Sequence, residues 1–168
     1  MNRTDIISLI KNDHRVVKEL FNRIEKSSPR ASKTRTNLYK ELREALLKHS
    51  HAEEKALYPR LKEHAKTKDI AFESVEEHGV VSYLLKMIDA TPADSDEWTA
   101  LTAVLRETIE HHVDEEEGIM FSKMGKIFSK DDLEVMGQEF EKSKRSWIET
   151  LTEAVLGPVE PSLLGNVA

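Results

Sequence analysis

Two stretches of the chain carry a histidine followed four residues later by a glutamate. They are KHSHAEEKALYP (48–59), with His49 and Glu53, and HHVDEEEGIMF (111–121), with His112 and Glu116. On a helix, residues four apart lie about 40° apart around the axis and about 6 Å along it. Each pair therefore points one imidazole and one carboxylate the same way. Each also has a histidine upstream: His14 stands 35 residues before His49, and His78 stands 34 before His112. Downstream, both pairs continue with a second acid (Glu54, Glu117) and an apolar–aromatic step (Leu57-Tyr58, Met120-Phe121). The chain is a weak two-fold repeat of a helix pair that contributes His plus His-x-x-x-Glu.

Together the two copies place four imidazoles and two carboxylates on inward faces. Burying six ionisable groups without partners would cost several kcal/mol each, on the order of the transfer penalties of polar groups. Metal ions satisfy them together. Four imidazoles argue against calcium or magnesium, which prefer all-oxygen shells. Six ligands are too many for one zinc, which takes four. Two first-row ions, each with two histidines and both sharing the glutamates, fit the donor set best. Iron leads, with manganese or mixed occupancy left open. The chain has no cysteine, which excludes disulfides, zinc–thiolate sites and iron–sulfur clusters.

The elements that must position these residues follow from apolar periodicity. A first helix is expected from an N-cap at Thr4 to about Lys26, with Ile7, Ile10, His14, Val17, Phe21 and Ile24 on one stripe. A second, from about Lys33 to His64, carries Leu38, Leu42, Leu46, His49, Glu53 and Leu57 inward; Pro59 should kink it rather than end it. A third covers about Ile70 to Asp89, with Val75, His78, Val81, Leu85 and Ile88 inside. A fourth runs from about Asp96 to Lys123, with Trp98, Leu101, Leu105, His112, Glu116 and Met120 inside. Ser129 can cap a fifth, with Asp132 in its first turn and Leu133, Met136, Phe140, Trp147 and Leu151 on one face. No stretch alternates as a strand would. The fold class is all-α: an up-down-up-down antiparallel four-helix bundle with an additional C-terminal helix. The expected organisation is a bundle over 1–127, a helix packed on it over 128–156 and an irregular tail over 157–168 holding the Leu163-Leu164 pair.

The 168 residues suffice for one domain with a real core. A net charge of −6 leaves no basic stripe for phosphates, so a nucleic-acid partner is not expected. No apolar run approaches the roughly 20 residues of a membrane span, and the N-terminus lacks the features of a signal peptide. A cytoplasmic protein is the expectation. No phosphate-cradling glycine loop, nucleophile arrangement or dinucleotide fingerprint is present, so the sequence leaves open whether the protein is an enzyme.

With DHRVVKELF around His14, HSHAEEKALYP, EEHGVVSYLL around His78 and HHVDEEEGIMF, the chain resembles a hemerythrin-like, HHE cation-binding domain over roughly residues 5–125. The resemblance implies a four-helix bundle around a non-haem di-iron centre. It also implies His14, His49, His78 and His112 as terminal ligands, with Glu53 and Glu116 bridging. Two departures from the oxygen-carrying hemerythrins stand out. Where those have a second histidine four residues along the third helix, this chain has Ser82, and their last aspartate, five residues after the histidine, is replaced by Glu116 at four. One imidazole fewer leaves an additional open position. This favours reaction with, or sensing of, oxygen, peroxide or nitric oxide over simple oxygen carriage. The alternatives are an iron- or oxygen-sensing module without turnover, and iron storage or donation. A protein partner or self-association would use the fifth helix.

The neighbouring polar residues read as less involved. His51 should face solvent, His64 should lie near a helix end, and His111 is second to the metals at best. Glu54, Glu115 and Glu117 read as a solvated acidic face, although a carboxylate near the fourth-helix ligands could orient an imidazole N–H, a minor role open to Asp13 as well. Tyr39, Tyr58 and Tyr83 read mostly as packing, although a tyrosine near the metals could donate to a bound oxygen species or ligate, and Tyr83, one residue past Ser82, is the one placed to do so. Trp98 and Trp147 read as packing too.

Overall fold

The computed structural model describes residues 5–156, with side chains as far as Trp147. Its elements are α1 (Ile6–Glu25), α2 (Ser32–Ala56), α3 (Tyr58–Lys62), α4 (Lys68–Asp89), α5 (Asp96–Glu115), a π-helical turn (Glu116–Met120), α6 (Phe121–Ile127) and α7 (Lys130–Leu156). The chain is all-helical, with no strand among the described residues. The expected tail, with Leu163-Leu164, and the side chain of Leu151 lie outside what is described.

Helix starts follow the capping chemistry. Asp5 caps α1, accepting from the Ser8 N–H at 3.0 Å, and Thr4, the expected cap, lies outside the described residues. Ser95 caps α5 by accepting from the Trp98 N–H at 3.1 Å. Ser129 and Asp132 form a reciprocal box at the start of α7: the Ser129 N–H donates to Asp132 at 3.0 Å and the Asp132 N–H donates back at 3.2 Å.

Two cores hold the helices together. Val17, Phe21, Leu38, Leu42, Leu46, Val81, Leu85, Trp98 and Leu105 bring α1, α2, α4 and α5 around one apolar cluster. At its far end Arg35 lies over the Trp98 ring at 4.3 Å and donates to Thr99 at 2.7 Å, while Tyr39 donates to the Leu85 carbonyl at 2.8 Å. The second cluster contains Ile6, Ile10, Ala52, Leu57, Leu61, Ile70, Met120, Phe121 and Met124, together with Met136 and Phe140 of α7. Thus α7 lies on α1 and α2 and closes the apolar surface they leave open. The histidines sit between the two clusters.

Both glutamate-bearing helices change course just beyond the glutamate. After Glu53 the helix is interrupted at Leu57 and restarts with Pro59 in the first turn of α3. Proline has no N–H to give and its ring crowds the carbonyl four residues back. The helix that was expected to run kinked to His64 is therefore two helices. After Glu116 the break is the π-helical turn, which a smooth apolar stripe does not announce. It inserts extra backbone that lets Met120, Phe121 and Met124 all turn inward.

Candidate metal centre

All six residues expected from the repeat are buried and converge. His14, His49, His78 and His112 are each 7% exposed or less, and Glu53 and Glu116 are fully buried. Potential ligand atoms of His14, His49, Glu53 and Glu116 lie within 4.8 Å of one another, as do those of Glu53, His78 and His112. The imidazoles pair by repeat: the His14 and His49 rings are 5.1 Å apart, and so are those of His78 and His112. Each glutamate stands between the two pairs. Glu53 Oε2 is 3.2 Å from His49 Nε2 and 3.4 Å from His78 Nε2. Glu116 Oε2 is 3.1 Å from His14 Nε2, and its Oε1 is 3.7 Å from His112 Nε2.

With the imidazoles neutral, as metal ligation requires, these short distances do not satisfy the groups. His14 Nε2, His49 Nε2, His112 Nε2, Glu53 Oε1 and Glu116 Oε2 are buried without a hydrogen bond of acceptable geometry. Buried polar atoms are paired in most folded proteins, and each exception calls for a reason. Here five orphans from five residues face one another, and all are atoms that ligate cations.

The outer edges of the same rings are satisfied, each by its own carboxylate. His14 Nδ1 meets Glu117 at 2.9 Å, His49 Nδ1 meets Asp13 at 3.3 Å, His78 Nδ1 meets Glu54 at 3.0 Å and His112 Nδ1 meets Glu77 at 2.6 Å. The pattern obeys the repeat. The acid just before each upstream histidine (Asp13, Glu77) serves the downstream histidine of its own half. The acid just after each core glutamate (Glu54, Glu117) serves the upstream histidine of the other half. Nδ1–H donated to a carboxylate leaves Nε2 with its lone pair inward, the tautomer a metal ligand needs.

Glu117 and Asp13 thus take the imidazole-orienting role raised for them as an alternative, and Glu54, expected on a solvated acidic face, takes it too. Residues adjacent in sequence do point about 100° apart on a helix. An imidazole, however, spans the helix interface from Nε2 in the core to Nδ1 at the rim, within reach of a long side chain on that rim. Nothing in the helical periodicity marks Glu77. Its place beside His78, matching Asp13 beside His14, is the signal that could have found it.

Tyrosines sort differently from expectation as well. Tyr83, the one nearest Ser82, is 63% exposed and away from the centre. Tyr58 is buried in the middle of it, its hydroxyl 3.2 Å from Glu53 and 3.1 Å from Glu116, with one proton to share between the two carboxylates, and lying 3.4 Å from His78 Nε2. Tyr39 packs in the first cluster, as read. Ser82 is half-buried, whereas Ser50 lines a cavity of about 10 Å³ beside the four histidines. That cavity is walled by Val17, Leu46, Ile109 and Val113. It lies towards Leu46, opposite the Tyr58 end of the site. A wider cleft of about 870 Å³ between α1 and α5 reaches His14 from the surface past Lys11, Arg15 and Glu117.

The remaining histidines stand apart. His111 is exposed, 3.7 Å from both Glu77 and Glu115. His64 packs its ring edge on Phe128, and His51 is half-buried away from the cluster.

Electrostatics match a site built for positive charge. Burial pulls His14 and His78 down, but the glutamates outweigh it: Glu116 and its charge push His14 up to about 9. Glu53 and Glu54 do the same for His78, also to about 9. His112 is raised through Glu77 and Glu116 against the same burial. Burial would raise Glu53, yet the surrounding histidines hold it well below the usual carboxylate range. Burial and the two glutamate charges push Tyr58 far above an ordinary phenol, so it stays a neutral donor.

The hemerythrin HHE cation-binding domain family matches residues 5–124, and the chain belongs to that family. Among solved structures the chain is similar to a hemerythrin HHE cation-binding-domain-containing protein of Mycobacterium kansasii, a homologue of Rv2633c. The two share 25% identity, with a TM-score of 0.77 over 92% of this chain and 95% of the other. The comparison with curated proteins gave no match. No helix among the described residues is long and apolar enough to cross a membrane.

Proposed function

We propose that this protein holds two iron ions, bridged by carboxylates, in an up-down-up-down four-helix bundle with α7 laid on it, and that the pair reacts with a small oxidant or diatomic molecule. The observation that carries this reading is the set of five orphaned, inward-facing ligand atoms. Membership of a cation-binding family supports it. His14 and His49 would hold one ion, His78 and His112 the other, with Glu53 and Glu116 shared between them. The ions would supply electrons and an attachment point for the small molecule.

The chain's own residues would do the rest. Asp13, Glu54, Glu77 and Glu117 fix the ring orientation and tautomer of the four histidines, which raises their basicity as ligands. Tyr58 orients both bridging carboxylates and keeps its proton at the hydroxyl. The cavity beside the histidines has room for about one water-sized sphere. Its walls beside the histidines, Val17, Leu46, Ile109 and Val113, are apolar, so only a small molecule could approach the ions from this side. The cleft between α1 and α5 is the route in.

The test is anaerobic reconstitution with ferrous iron, followed by separate exposure to oxygen, hydrogen peroxide and nitric oxide under an optical spectrometer. The expected result is visible charge-transfer absorption that differs between the three. A spectrum unchanged by all three, in protein carrying its iron, would overturn the reading of reactivity.

A further inference from the structure

The two halves of the site differ in what stands behind their carboxylates. Asp13, which serves His49, is gripped by Lys144 of α7. The ammonium donates to both carboxylate oxygens at 2.9 and 2.8 Å, and both side chains are only 16% exposed. Glu141 stands 3.4 Å from the same ammonium. Behind its counterpart in the other half, Glu77, stands the exposed His111 at 3.7 Å, and no lysine or arginine is paired with it among the described residues. Glu117 has Lys11 at 4.0 Å, a pair largely in water. A cation close to a carboxylate and shielded from solvent competes for its negative charge far more than one across water. The geometry is consistent with that competition: the His49 contact, at 3.3 Å, is the longest of the four Nδ1–carboxylate contacts.

We infer that Lys144 is a positioning residue that acts through Asp13 and His49 to make the two metal positions unequal. The position held by His14 and His49 is the electron-poorer of the two. This rests on the di-iron reading above. A carboxylate on Nδ1 raises the donor strength of an imidazole, and a lysine on that carboxylate takes part of the effect back. His49 is thereby the weaker donor. Oxidation of iron-loaded protein by ferricyanide, which would take one electron from each ion, would then reach the position beside His49 last. α7 is then more than a cover: Phe140, one turn before Lys144, packs on the His49 ring at 6.0 Å while Lys144 grips the acid behind it.

The experiment is a ferricyanide titration of the iron-loaded protein, read by the electron-paramagnetic-resonance signal of the half-oxidised pair. The maximum of that signal grows with the separation of the two potentials. Lys144→Met should lower the maximum, and Lys144→Arg should restore it. Asp13→Asn cuts the same link from the other end and removes the carboxylate, so it should raise the maximum. Adding Lys144→Met to Asp13→Asn should change nothing further. Structural damage alone would move both single variants the same way, and that result overturns the proposal. So does an unchanged maximum in Lys144→Met with two ions bound. If Lys144→Met does not fold, Asp13→Asn alone decides: a lowered or unchanged maximum refutes the inference. Failure of the di-iron reading itself would be visible separately, as wild-type protein that takes up fewer than two ions per chain.

Discussion

Tyr58 and Glu116, 58 residues apart in the chain, meet hydroxyl to carboxylate at 3.1 Å in the middle of the bundle. The same hydroxyl reaches Glu53 at 3.2 Å, so one phenol ties together the two carboxylates on which the site turns. Tyr58→Phe removes a donor that both buried acids use. Metal-free protein should lose about 1–3 kcal/mol of stability, the cost of leaving buried acceptors unsatisfied. Iron-loaded protein should lose much less, because the carboxylates keep their ions. Urea unfolding of both forms checks this, and an equal loss in the two would contradict it.

Glu77 and His112 are joined by the shortest of the four imidazole–carboxylate contacts, 2.6 Å. Glu77→Gln should weaken metal retention by about 10- to 100-fold, the usual effect of removing a ligand's hydrogen-bonding partner. Glu115→Gln is the control. Glu115 lies on the same rim but is 3.7 Å from the exposed His111 and serves none of the four buried histidines. Competition against a chelator of known affinity measures both, and equal losses would mean that surface charge alone is at work.

The pH dependence of the metal-free protein follows from the raised histidines. His14 and His78 move from 6.5 to about 9 on folding. A group whose folded value is raised contributes stability that is complete below its unfolded value and lost as pH rises through the folded one. Metal-free protein should therefore lose stability between about pH 6.5 and 9, as thermal melting across that range would record. Loaded protein should behave oppositely, since ligation needs neutral imidazoles and binding releases protons. A metal-free melting temperature that climbs from pH 6.5 to 9 would refute this.

Most of the centre was legible in the sequence because it sits on unbroken helix. His14, His49 and His78 interrupt apolar stripes of helical period, and nothing between each stripe and its histidine disturbs the register. The repeat then picked out Glu53 and Glu116 from a chain rich in acids. What periodicity could not supply lies where helices meet. Glu54, Glu77, Glu117 and Asp13 act across an interface, and a stripe read on one helix says nothing about which neighbouring rim a long side chain can reach. Tyr58 was hidden for another reason. It follows the break at Leu57, so its direction cannot be extrapolated from Glu53. The π-helical turn at Glu116–Met120 was invisible because apolar residues on both sides of it still fall inward.

Glu53 and Glu116 make the sharpest stoichiometric prediction. Glu53→Ala removes a carboxylate placed between both histidine pairs, so bound iron should fall from two ions per chain to one or none. Glu54→Ala, one residue on, should keep two ions with weaker retention. Elemental analysis of desalted protein distinguishes the two.

The most direct test of the whole account is the iron content and Mössbauer spectrum of wild-type protein loaded anaerobically with ferrous iron-57, desalted and then oxidised. Two irons per chain, magnetically coupled after oxidation through a shared bridge, is the predicted result. One iron or fewer per chain, or two that remain magnetically independent, would contradict it.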